Sequence, residues 1–184
     1  MSAPSEEELT DAIETATERA VTALFREHPE HFYYCSLITT GEAHPPNLTA
    51  WSDEALDREV AKGGCRRDWL RWSFVDSPYF LYGEEYFGEV RRLFSERPPM
   101  VPSTGQWSKE YEFRLRCMEE AMKRLDDKGI FGEGEERKSI VINVEVMPPD
   151  YTNTERALRL NPSESLTEWL ATAAEEPDDD DGDD

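Results

Sequence analysis

The chain has 184 residues, with 41 acidic against 20 basic side chains, a formal net charge of −21 and a sequence pI of about 4.4. That length fits one domain, and a hydrophobic content of 38% with five Trp is enough to build a core, which excludes a chain disordered throughout. So acidic a field argues against nucleic acid and anionic membrane as partners, because both are bound through Lys and Arg.

Ser5 with Glu8 reads as a capping box, and Leu9, Ile13, Ala16, Ala20 and Leu24 recur at steps of four and three, predicting an amphipathic helix over 5–27 that stops before Pro29. Residues 31–40 (HFYYCSLITT) are aromatic and β-favouring on both alternating faces, a strand covered on each side. Gly41-Glu42 offers a hairpin turn, and the return strand over 43–48 contains Pro45 and Pro46, so it belongs at a sheet edge. Trp51, Ser52 and Leu56 fit a hydrophobic staple around an N-cap, opening a short helix over 53–62 that ends at Gly63-Gly64.

Over 68–79 (DWLRWSFVDSPY), Leu70, Trp72 and Phe74 alternate with Arg71, Ser73 and Val75, predicting a half-buried strand that turns at Asp76-Ser77-Pro78. In that phase Trp72 is core, and Arg71 with Asp76 forms a more exposed pair on the opposite face. Phe87, Val90 and Phe94 mark a helix ending near Arg97, followed by a proline-rich loop. Tyr111, Leu115, Met118, Met122 and Leu125 give the clearest helical stripe, closed by Gly129 as a left-handed C′ residue with Ile130 folding back on Leu125. Ile140, Ile142, Val144 and Val146 then alternate with Val141, Asn143 and Glu145, a strand with one apolar face that ends at Pro148-Pro149. A last helix over 164–174 carries Leu166, Trp169 and Leu170.

The expected fold is α+β, a mostly antiparallel sheet with helices packed against it, because regular βαβ units are absent. The domain spans 1–174. The last ten residues, 175–184, hold eight acids and no base, and read as a disordered tail whose removal leaves both folding and an acidic body intact. No stretch approaches 18 apolar residues, and Met1 to Ser5 carry neither the basic nor the apolar region of a signal peptide, so a cytoplasmic protein is expected. Cys35, Cys65 and Cys117 are odd in number and widely spaced, which suits reduced thiols better than a disulfide framework or a zinc site.

Candidate chemistry is sparse. His28 sits at a helix end, and His31 and His44 could meet across the first hairpin, but a metal site would need Cys35 or a carboxylate as a third ligand, so neither metal nor cofactor is expected. Gly129, Gly132 and Gly134 follow a helix rather than joining a strand to one, a loop signal and not a phosphate cradle. The most pointed constellation is Arg71, Trp72, Asp76, Tyr79 and Tyr82, with Trp69 beside it: aromatics around an Arg that could grip an anion and an Asp that could orient it. The same residues also fit a packed core with an Arg–Asp bridge, and no residue is assigned a catalytic role.

The strings HFYYCSLITTGE, EALDREVAK, LRWSFVDSPYFLYGEEYF and LDDKGIFGEGEER, in that order, resemble the bacterial domain-of-unknown-function family 4303 over about residues 6–146. The usual pattern places an aromatic residue directly before the proline, where this chain has Ser77. The resemblance implies no established activity, substrate or catalytic residue. By size and charge such domains are similar to immunity and accessory proteins of bacterial toxin systems. Two functions are therefore expected as alternatives: a non-enzymatic, immunity-like module that binds a basic protein partner, or a small-molecule binder or enzyme built on the Trp, Arg71 and Asp76 cluster.

Overall fold

The computed structural model describes residues 3–101 and 105–177. Helix α1 (Glu6–Glu27) opens with the capping box read from the sequence: the Ser5 hydroxyl accepts from Glu8 N–H at 3.2 Å, and Glu8 Oε2 accepts from Ser5 N–H at 2.8 Å. Its stripe Leu9, Ile13, Ala20 and Leu24 is fully buried. Strand β1 (Phe32–Thr40) is covered on both faces, as its composition requires. Strand β2 (Asn47–Ser52) pairs with it antiparallel and lies at the sheet edge, with Pro45 and Pro46 in the turn before it and not in the ladder.

Ser52 caps helix α2 (Asp53–Ala61) by accepting from Ala55 N–H at 2.9 Å, and both staple residues, Trp51 and Leu56, are fully buried. Helix α3 (Arg67–Leu70), a 3₁₀ turn over Glu84–Phe87 and helix α4 (Gly88–Ser95) follow. Helix α5 (Trp107–Asp127) ends in both bonds of a Schellman motif, Ile130 N–H to Leu125 O at 3.1 Å and Gly129 N–H to Asp126 O at 2.8 Å. Strand β3 (Val141–Met147) then completes a three-stranded sheet in the order β2-β1-β3.

The fold is α+β. The sheet is mixed: β1 pairs with β2 antiparallel but with β3 parallel. The parallel pair departs from the mostly antiparallel expectation, and chain connectivity accounts for it. Everything from α2 to α5 forms one long crossover between β2 and β3, which gives the chain room to re-enter the sheet in the direction of β1.

The segment over 68–79 is not a strand. After α3 it runs in successive turns across a face of the sheet, and its carbonyls accept from side chains below: Arg71 O from Tyr33 Oη at 2.6 Å, Ser73 O from Trp51 Nε1 at 2.7 Å, and Phe74 O from Thr49 Oγ1 at 3.1 Å. Alternating hydrophobicity was present without a strand partner, and these bonds replace the ladder.

The sheet has two unlike faces. Register places Cys35 and Leu37 beside Ala50, Leu48, Ile142 and Val144 on an apolar face. Tyr34 and Ser36 lie beside Trp51, Thr49 and Asn143 on the other, where Ile38 aligns with Glu145. Asn143 and Glu145 are buried, so β3 is covered on both faces and not on the single face expected.

Helix α6 (Tyr151–Leu160), which hydrophobic patterning left unassigned, closes the open edge of β3. Asn161 Oδ1 accepts from Ile142 N–H at 2.8 Å while its Nδ2 donates to Ile142 O at 2.6 Å, and Asn153 does the same for Val146 at 2.8 and 3.0 Å. Between them Arg156 Nε donates to Val144 O at 2.7 Å. Side chains thus stand in for a fourth strand and remove an edge that could otherwise pair with another chain. Helix α7 (Thr167–Thr172) is shorter than the predicted last helix, and Trp169 is its buried anchor. Beyond it Glu175 O accepts from Thr154 Oγ1 at 2.9 Å; residues 178–184 of the predicted tail lie outside the described residues.

Candidate functional site

The sequence-predicted constellation separates into three places. Arg71 lies against the rings of Tyr33 and Trp72, 4.3 and 5.3 Å from their centroids, and its fork grips Glu168 of α7, Nε to Oε1 at 2.5 Å and Nη2 to Oε2 at 2.6 Å. Its second acidic neighbour is Asp53 at 3.7 Å. Trp72 is half-buried, edge-on to Tyr33 and Tyr34, and donates to Thr172 Oγ1 at 3.0 Å. The anion site imagined around Arg71 is therefore filled by the chain itself, which uses Arg71 and Trp72 to hold α7 over the sheet.

Asp76 does not pair with Arg71. It is exposed and accepts from Ser73 Oγ at 2.5 Å, because the turns after α3 remove the strand phase that would have aligned the two. Trp69, at 68% exposure, projects away from this cluster beside Arg66.

Tyr79 and Tyr82 belong to a third group, where α1 gives way to β1. Glu30 accepts from Arg58 Nη1 at 2.6 Å, from Tyr79 Oη at 2.7 Å and from Ser52 Oγ. Burial opposes ionisation of Glu30, but these donors outweigh it and hold the carboxyl down at about 2. The Tyr79 hydroxyl is pushed up to about 12, by burial and by donating to that carboxylate. Tyr82 donates to Glu27, and the His28 ring packs 4.8 Å from Tyr79. A carboxylate this firmly ionised, with its partners fixed, is built to stay charged and not to exchange protons near neutrality.

The predicted meeting of His31 and His44 does not occur. Hairpin register puts them at opposite ends: His31 Nδ1 lies 2.5 Å from Glu54, whereas His44 sits in the turn with Thr40 and Glu42. Cys35 is fully buried, its thiol pushed up to about 12 by desolvation, and among the described residues no group of three or more His, Cys, Asp or Glu could hold a metal. No described helix is long and apolar enough to cross a membrane.

Sequence reasoning missed Glu145. Patterning put it on a solvent face, yet it is buried with Tyr34 Oη donating to it at 2.6 Å, and desolvation raises its carboxyl above the ordinary range. A carboxyl with a raised folded pKa contributes most below its unfolded value, and that contribution is lost as pH climbs toward the folded value. Glu145→Gln keeps an acceptor for Tyr34 without a charge. It should leave the melting temperature nearly unchanged near about pH 4 and raise it at alkaline pH by an amount corresponding to about 1–3 kcal/mol; calorimetry at several pH values checks this.

Among several clefts on the described surface, two differ sharply in charge. The larger, about 990 Å³ between the start of α1 and α5, carries both signs and is self-compensated, with Arg124 bridging Glu7, Asp11 and Glu120. The other is an open groove of about 480 Å³ where α1 and α5 end, floored by Phe25, Phe32, Ile130 and Ile140, with Glu30, His31 and Glu136 at its rim and no Lys or Arg in its lining. Residues 129–132 of the glycine loop, which the sequence marks only as a loop, form one wall of it.

No curated protein matches the chain, and no solved structure does. The family model described as Domain of unknown function (DUF4303) matches residues 13–162, a span that reaches past the resemblance read from the sequence and takes in α6, and the chain therefore belongs to that family.

Proposed function

We propose that this chain is a non-catalytic interaction module, immunity-like in kind, that binds a basic protein partner through its acidic surface. The observation that carries the reading is an asymmetry in how charges are matched. Most Arg and Lys side chains are engaged within the fold, as in Arg92 with Glu89 and Glu96 or Lys128 with Glu14 and Glu18. Exposed Glu84, Glu85, Glu112, Asp127, Glu133 and Glu136 have no ion-pair partner among the described residues. Uncompensated surface charge of one sign steers oppositely charged proteins toward it and discriminates against others. The small-molecule alternative is supported less well, because Arg71, Trp72, Tyr79 and Tyr82 already have internal partners for their polar groups.

The test is capture of partners on the immobilised chain at low salt, followed by association kinetics with each purified partner. A basic partner is expected, with an association rate that falls about tenfold or more between low and high salt while dissociation changes less, since ions screen such steering over about 8 Å at physiological strength. Neutral or acidic partners, or an association rate indifferent to salt, would count against the reading.

A further inference from the structure

We infer that the groove at the C-terminal ends of α1 and α5 is where the partner docks, and that it receives a segment of a basic protein carrying an apolar side chain between Lys or Arg residues. The inference rests on the basic-partner reading above and adds a place and a chemistry to it.

The floor supplies the apolar half of the argument. Phe25 from the last turn of α1 and Phe32 from the start of β1 lie with ring centroids 4.7 Å apart, and both are only partly covered. Ile130, also partly covered, continues the floor toward buried Phe131 and Ile140. Partly exposed aromatic and aliphatic side chains gathered in a concave site are what an anchoring side chain needs in order to exclude water.

The rim supplies the electrostatic half, from two independent sources. The first is the loop after α5. Gly129 and Gly132 adopt φ of +75° and +92°, which folds the loop tightly enough that Glu133 Oε1 would lie 3.1 Å from a Cβ placed on Gly129, and Glu136 Cβ 3.0 Å from one on Gly132. Both glycines line the groove together with Glu136, while Glu133 folds back against Gly129 beside it, and neither carboxylate has an ion-pair partner among the described residues. The second source is the helices. α1 and α5, of 22 and 21 residues, both end here, and the C-terminal end of a helix carries partial negative charge. The other titratable groups at the rim are internally answered: Glu30 by Arg58, and His31 by Glu54 behind it, whose hydrogen bond raises the imidazole above its ordinary value.

The same field decides among occupants. A second copy of this chain carries the same net charge of −21, and the last ten residues hold eight acids and no base, so both are repelled. A basic segment is attracted by the rim and retained by the floor. This differs from the larger cleft, where Arg116, Lys123, Arg124 and Arg159 already neutralise the acids.

The probe is a labelled ten-residue peptide with Phe-Leu at its centre and Lys and Arg on either side, against a control in which Phe-Leu becomes Ser-Gly at unchanged charge. Binding to the full chain is read by fluorescence anisotropy at low salt. The Phe-Leu peptide should bind about tenfold or more tightly than the control, a difference of about 1.4 kcal/mol, and NMR shifts should localise to Phe25, Phe32 and Ile130. Glu136→Lys and Glu133→Lys, exposed positions that leave the fold intact by circular dichroism, should each weaken it severalfold, whereas Glu112→Lys, far back along α5, should change it less than about twofold. Equal binding of the two peptides, or equal effects of Glu112→Lys and Glu136→Lys, overturns the groove while leaving the basic-partner reading standing. If neither peptide binds, both fall. A dimer in sedimentation that Ile130→Asp dissolves would assign the groove to a second copy instead.

Discussion

Trp51→Ala should be among the most damaging single substitutions in the chain, costing about 3–5 kcal/mol. Trp51 is fully buried just ahead of α2, and its indole N–H donates to Ser73 O at 2.7 Å, fastening the turn segment onto the sheet. Truncation opens a large cavity and strands that carbonyl. Trp72→Ala, which the strand phase read from the sequence would make the costly change, should cost clearly less, because Trp72 is only half-buried and its main losses are two edge contacts and the bond to Thr172. Urea denaturation followed by circular dichroism ranks the two. A larger loss for Trp72→Ala would mean that α7, and not the staple, is the main anchor of this face.

That reversal shows where the sequence was informative and where it was not. Local physics was legible. The capping box at Ser5, the N-cap at Ser52 and the Schellman ending at Gly129 each depend on a few adjacent residues, and each is present. Strand direction and coverage were not, because they depend on partners far away in sequence. Residues 70–75 alternate as a strand would, yet Trp51, Thr49 and Tyr33 supply their hydrogen bonds from another layer. Asn143 and Glu145 read as solvent-facing because nothing in β3 announces what covers them. Helix α6 buries much of its polar content: Asn153 and Arg156 satisfy a strand edge, which weakens the apolar stripe that patterning looks for. The Arg71–Asp76 pairing is absent for the same reason, since Arg71 finds its carboxylate at Glu168, nearly a hundred residues away. The groove left one trace in the sequence, the glycine and glutamate string after α5, whose apolar floor comes from Phe25 and Phe32 at the other end of the chain.

Glu110→Ala should also cost about 3–5 kcal/mol, through charge and not volume. Glu110, 6% exposed in the first turn of α5, receives Arg97 Nε at 3.0 Å and Arg114 Nε at 2.9 Å. These two arginines also donate to Pro4 O at 2.6 Å and to Pro98 O at 2.9 Å, so the triad ties the start of the chain, the end of α4 and α5 together. Removing the carboxylate leaves two poorly solvated guanidinium groups facing each other without an anion. Burial acts to raise the Glu110 carboxyl, but the bonds and charges of Arg97 and Arg114 outweigh it and hold the carboxyl below the ordinary range. A depressed folded pKa contributes stability that is present above the unfolded value of about 4.3 and is lost as pH falls through the folded value. The penalty for Glu110→Ala should accordingly be full at neutral pH and shrink in acid. Urea midpoints measured at neutral pH and near about pH 3 test this: a penalty that does not change with pH would mean that Glu110 acts by packing alone and that its charge does not hold the triad together.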